Sequence, residues 1–172
     1  MNNLFDIACN FSSDRFDKDL DAVIERAKIN NVNKFLIVSA SLNDFEKTYN
    51  IYKSNLKDAF FSIGTHPHHA DEINEEQIKN MRRLVGEHNP SCIGETGLDF
   101  FRNLSSHDEQ TYAFQEQIKI AIDFNKPLYL HQRDSHSEFI KIISEYKDYL
   151  PKSVVHCFTG TQSELEDYLD LG

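Results

Sequence analysis

Three side chains in this chain stand where apolar runs stop: Glu95 after SCIG, His131 after LYL and His156 after SVV. Two neutral imidazoles and a carboxylate meeting at one point make a ligand set for a divalent ion. An ionised carboxylate closing a buried strand is costly unless it is paired or metal-bound. The competing reading is three unrelated buried polar groups, each satisfied by its own hydrogen bonds. Their equivalent positions, each at the same end of its run, favour the metal.

Further candidates surround this trio. His66-Pro67-His68-His69 follows an apolar run and Gly64-Thr65. His66, at the strand end, is placed to reach a substrate oxygen or a metal, while His68 and His69 read as a polar loop. Asp99 lies four residues past Glu95, beyond a glycine turn; it either orients a supporting histidine or a basic residue, or caps the next loop. Arg102 and Arg133 lie just beyond two strands, where guanidinium forks suit a phosphate and solvated surface arginines are the alternative. Asp6 and Asn10, in FDIACN, are candidates for supporting the site. A binuclear barrel hydrolase usually shows Asp-x-His-x-His there; this chain has Ala8 and Asn10 in place of the histidines. No glycine-rich phosphate loop and no G-x-S-x-G elbow is present. Cys157 adjoins His156, but neighbours on a strand face opposite ways, which argues against a Cys–His dyad.

The elements that must position these residues can be read from periodicity. Strand-like runs cover 4–9, 35–39, 59–63, 91–94, 128–130 and 154–155. Between them lie helical faces: Phe16, Leu20, Val23, Ile24 and Ala27; Phe45, Tyr49, Tyr52 and Leu56; Ile78, Met81, Leu84 and Val85; Phe114, Ile118, Ala121 and Ile122; Phe139, Ile140 and Ile143. Ser106-x-x-Glu109 and Ser163-x-x-Glu166 predict capping boxes. Strand and helix alternate six times, which predicts a parallel sheet covered by helices. Six units in 172 residues give roughly 29 residues each, near the roughly 31 of an eight-unit barrel. In an open sheet the site concentrates at one switch point. Polar groups at one end of five of the six strands instead suit a barrel, whose C-terminal face gathers residues from many strands.

A net charge of −10 disfavours a non-specific DNA coat, but not a nucleic-acid enzyme whose metal ions supply positive charge locally. No run approaches the roughly 20 apolar residues of a membrane helix, and MNNLFDIACN has no secretory character, so a cytoplasmic location is expected. Three cysteines argue against a disulfide framework; Cys9, Cys92 and Cys157 are expected as buried small hydrophobes.

Taken in order, FDIACNF, GTHP, IGETGLDF, LHQR and VHCFTG resemble the blocks of the TatD family of metal-dependent deoxyribonucleases, over essentially the whole chain. The resemblance implies a TIM-type (β/α)8 barrel of the metal-dependent hydrolase kind. This chain carries about six of its strand–helix units, as one domain, residues 1–172, incomplete at its C-terminal end. It implies Glu95, His131 and His156 as metal ligands. The family also uses an aspartate in a Glu-Thr-Asp-Ala-Pro block that these 172 residues lack. Gln132, in the middle of the His-Gln-Arg block, is expected to point away from the site.

The expected function is hydrolysis of DNA phosphodiester bonds by a metal-activated water, with His66 and Arg133 holding phosphate oxygens. The expected cofactor is one or two divalent ions, Mg2+ first, with Zn2+ or Mn2+ as alternatives. DNA is the expected partner and no membrane is; the sequence does not fix the oligomeric state. Two rival readings remain: a related hydrolase of a small phosphoester or amide, and a non-catalytic fragment or partner-binding remnant of such a barrel.

Overall fold

A computed structural model describes residues 3–55 and 57–172. Six strands alternate with six α-helices: β1 (Leu4–Cys9), α1 (Leu20–Ile29), β2 (Val32–Ile37), α2 (Phe45–Ser54), β3 (Ala59–Ile63), α3 (Glu75–His88), β4 (Cys92–Asp99), α4 (His107–Asp123), β5 (Leu128–Arg133), α5 (His136–Tyr146), β6 (Val154–Val155) and α6 (Gln162–Leu169). Short 3-10 turns cover Asp14–Phe16, Leu42–Asp44 and Pro67–Glu72. Leu56, expected on the inner face of α2, lies outside the described residues.

All pairings are parallel, and the strand order is β1-β2-β3-β4-β5-β6. A doubly wound sheet reverses its order at a switch point; this one never does. Sequential order with a helix after every strand is the winding of a barrel, here a curled partial one.

The strand period of two sorts the core into two layers. Ile93 of β4 and Leu128 and Leu130 of β5 pack toward the helices, against residues such as Met81, Phe114, Ile118 and Phe139, and Phe35 and Ile37 of β2 pack in a second cluster with Ile24 of α1. Their neighbours Leu36, Val38, Cys92 and Tyr129 form a separate cluster on the other face, inside the curl. Tyr129, His131 and Arg133 alternate along β5, so they share that inner face.

Four details of the sequence reading are corrected. Phe16 belongs to a 3-10 turn rather than α1. Ile142 rather than Ile140 is buried with Phe139 and Ile143 on α5. The capping box of α6 is Thr161 with Glu164, not Ser163 with Glu166, because extended Thr161 accepts from the Glu164 N–H while Ser163 is already helical. Cys157 is exposed, whereas Cys9 and Cys92 are buried; β6 ends two residues earlier, and Cys157 turns out at φ 49°. The Ser106–Glu109 box forms as expected. Among the described residues, no helix is long and apolar enough to cross a membrane.

Candidate metal centre

Glu95 does not end its strand: β4 runs four residues further, to Asp99. The pairing with β5 shifts between Gly94 and Thr96, so Glu95 has no partner in the register. It is the extra residue of a β-bulge, a device that re-aims a side chain. Ile93 and Leu98 both pack in the helix-side core. Five residues apart, they would lie on opposite faces of a regular strand, and the extra residue at 95 restores the parity. The flanking glycines permit this. Gly94 and Gly97 have φ of 139° and 145°, and a Cβ on either would collide with the carbonyl oxygen of Tyr129 or His131. Across the site, the Glu95 N–H donates to the Ser39 carbonyl at 3.4 Å.

Three imidazoles converge on one oxygen of this bulged carboxylate. Glu95 Oε1 lies 3.0 Å from His131 Nδ1, 2.7 Å from His156 Nε2 and 3.4 Å from His66 Nε2. Burial pushes the Glu95 carboxyl up, but the hydrogen bonds of His131, His156 and His66 outweigh it and hold it far below the usual carboxylate range. One ligand atom each from His66, Glu95 and His131 fall within 4.8 Å of one another, a group able to hold a metal ion. The fit to an ion has a second support: His131 Nε2 is buried with no hydrogen-bond partner, and faces Asp99 Oδ2 at 3.4 Å. A carboxylate facing the far ring nitrogen is the usual backing of a metal-bound histidine, and it leaves Nδ1, beside Glu95, for the ion.

The backbone selects one tautomer of His66. Its Nδ1 accepts from the His68 N–H at 3.1 Å, so its proton resides on Nε2, toward Glu95. Metal-bound histidines usually donate their other ring N–H; His66 instead accepts there, which suits it to donate a hydrogen bond into the site. Burial lowers its pKa, against the opposing pull of Glu95.

Asp99 joins the cluster through His131 and through His68, whose Nε2 lies 2.7 Å from Asp99 Oδ2. His68 is therefore part of the site's support and not a free loop residue; His69 pairs with Glu72 on the surface. The Asp99 carboxylate also accepts from the N–H groups of Phe101 and Arg102, at 3.0 and 2.8 Å. Burial raises its pKa, but the Arg102 N–H and His68 reverse the shift and lower it.

Sequence reasoning missed α4 as a jig. Gln117, fully buried, accepts from the Thr65 N–H at 2.8 Å and donates to the Thr65 carbonyl at 3.0 Å. Gln110, two turns earlier and equally buried, does the same to Asp99, at 2.8 and 3.2 Å. One helix thus grips the chain beside His66 and at Asp99. The signal was present as two glutamines seven apart on the apolar face of α4.

The site opens into a cavity of about 1160 Å3 that Asp6, Asn10, Arg133 and the four central residues line. Asp6 is exposed on the edge strand β1, and its carboxylate caps the Ala8 N–H at 3.0 Å. Arg15, which the motifs did not single out, also lines the cavity. Arg102 does not: its side chain is exposed, and only its backbone serves Asp99. Cys157 borders the cavity beside His156. Gln132, with its side-chain oxygen turned to the start of α5, accepts from the Ser135 and His136 N–H groups at 3.1 and 2.9 Å.

Comparison with known proteins places this arrangement. A family model described as TatD related DNase matches residues 5–172. The chain is 37% identical over 169 residues to the 3'-5' ssDNA/RNA exonuclease TatD of Pantoea ananatis, covering 98% of this chain and 65% of that protein. It is 38% identical over 169 residues to the protein of the same name from Cronobacter sakazakii, covering 98% and 64%. It therefore spans a little under two-thirds of the length of these relatives. Among solved structures, a TatD family hydrolase from Entamoeba histolytica superposes with a TM-score of 0.90 at 28% identity, over 100% of this chain and 64% of that one. YJJV, a TatD homolog from Escherichia coli, gives 0.89 at 24% identity, over 98% and 65%; at that identity the likeness speaks to the fold alone.

Proposed function

Since the chain belongs to the TatD related DNase family, we propose that residues 1–172 act as one domain that hydrolyses phosphodiester bonds of single-stranded DNA with a divalent ion. The observation that carries this reading is the convergence of three imidazole nitrogens on Glu95 Oε1. That oxygen marks the point toward which the protein directs its metal-binding and proton-donating groups.

Glu95, His131 and His156 would hold the ion, with Asp99 at the far nitrogen of His131 to orient the ring and reinforce its basicity. When bound, a divalent ion there neutralises phosphate charge and makes a coordinated water acidic enough to be a nucleophile near neutral pH. The chain's own residues do the rest. His66, fixed with its proton on Nε2, donates to a phosphate oxygen. Arg133 places its guanidinium at the cavity wall, where a planar fork suits a phosphate. The buried cluster of Leu36, Val38 and Tyr129 supplies the apolar surface on the inner face that His131 shares. Asp6 and Asn10 lie at the cavity edge, positioned to support bound groups. DNA as substrate rests on the family and on the printed names of the curated relatives.

The test is hydrolysis of an end-labelled single-stranded DNA by the 172-residue chain, with Mg2+, Mn2+ or Zn2+ and with chelator. Metal-dependent cleavage that Glu95→Gln abolishes is the expected result. A Glu95→Gln protein as active as the parent would sink the assignment.

A further inference from the structure

Beside the metal centre, the same cavity carries an exposed aromatic ring with a guanidinium on its face. Phe101 is 56% exposed, lines the cavity and makes no aromatic pair among the described residues. The Arg133 guanidinium carbon sits 3.8 Å from its ring centroid. Among the described residues the Arg133 side chain has no ion pair or hydrogen bond, although the chain is strongly acidic.

This pair is held in place relative to the site. The Phe101 N–H donates to Asp99 Oδ1, and Asp99 itself contacts His68 and His131. The preceding Phe100 donates its N–H to the Arg133 carbonyl at 2.9 Å and stacks on His107 with centroids 3.6 Å apart. The ring is thus tied by its backbone to the carboxylate that also supports the metal centre. This exposed phenyl group is therefore anchored through Asp99, which also contacts His68 and His131.

We infer that Phe101 and Arg133 form a stacking platform for a nucleobase next to the scissile phosphodiester. Charge decides between stacking and phosphate attraction as the source of affinity. The cavity wall carries two arginines, Arg15 and Arg133, against four carboxylates, Asp6, Asp44, Glu95 and Asp134. With one divalent ion bound, that wall would carry no net positive charge, so its field alone does not draw in a polyanion. Stacking is insensitive to this deficit and accepts any base, because every base has a π-face. Arg133, with its guanidinium carbon 3.8 Å from the ring centroid, adds a cation to the aromatic surface and brings N–H donors for a phosphate oxygen. The ligand is single-stranded, since a base paired in a duplex does not expose its face.

This inference deepens the proposed nuclease function and rests on it. The probes are a short fluorescein-labelled thymidine oligonucleotide and its abasic counterpart, both with phosphorothioate linkages that resist cleavage, measured by anisotropy in Mn2+. The parent is expected to prefer the base-bearing strand about tenfold, the factor that roughly 1.4 kcal/mol of stacking gives. Phe101→Ala should erase that preference and Phe101→Tyr should restore it. The melting temperature of Phe101→Ala, at an exposed position, checks that the fold is intact. A folded Phe101→Ala that keeps the preference overturns the platform. Metal-dependent DNA hydrolysis with no base preference in the parent overturns the platform alone. Neither binding nor hydrolysis by the parent overturns both readings.

Discussion

Gln117→Leu isolates the grip of α4 on the site. The side chain is fully buried and of similar volume to leucine, so the substitution leaves little cavity. It removes the acceptor for the Thr65 N–H and the donor to the Thr65 carbonyl. Thr65 is itself 2% exposed, so water does not replace the lost partners. Each orphaned buried group costs about 1–3 kcal/mol; the bond to the Ala113 carbonyl adds little, because that carbonyl lies within the α4 hydrogen-bond ladder. Two orphans therefore predict a loss of about 3 kcal/mol, or roughly 6–12 °C in melting temperature for a chain of this size. Urea denaturation of parent and variant, with an unchanged m-value, reads it directly. Glu116→Ala, at the neighbouring surface pair with Lys119, serves as control and should change stability by less than about 0.5 kcal/mol. A Gln117→Leu loss no larger than that control would refute the claim that α4 holds the β3 end in place.

Two further outcomes follow from the titrating groups. Burial holds the folded-state pKa of His66 below its ordinary 6.5, so near and below that pH the unfolded chain binds the proton that the folded chain refuses. Metal-free protein should therefore lose stability as pH falls from about 7 through 6, and His66→Asn should flatten that slope in urea melts; an equal slope in both proteins contradicts it. Burial raises the thiols of Cys9 and Cys92, the latter to about 12, whereas Cys157 is exposed. A thiol reagent at pH 8 should titrate one cysteine in the native protein and all three in denaturant; three fast thiols in the native state would contradict the buried placement.

Much of this architecture could be read from residue types. Six apolar runs separated by helical faces predicted the sequential parallel sheet, because burial on the inner layer and beneath the helices demands those periodicities. The site was legible where a polar side chain interrupts an apolar strand, as at His131 and His156. It was less so at Glu95. A strand that ends on an acid and one that bulges at it read alike, because the bulge is a matter of pairing register with β5. His68 looked like a loop residue because its partner, Asp99, is 31 positions away. Arg102 and Arg133 occupied similar places in the sequence. Only the turn after β4, wrapped around Asp99, sends one side chain to solvent and leaves the other facing the cavity.

The most direct test of the central claim is a calorimetric titration of Mn2+ into the 172-residue chain and into Glu95→Gln. The convergent imidazoles predict one saturable site per chain, with affinity reduced on the order of 100-fold or more when the carboxylate charge is removed. Equal binding by the two proteins, or no binding by the parent, would mean that the cluster around Glu95 is a hydrogen-bonded structural knot and not a metal centre.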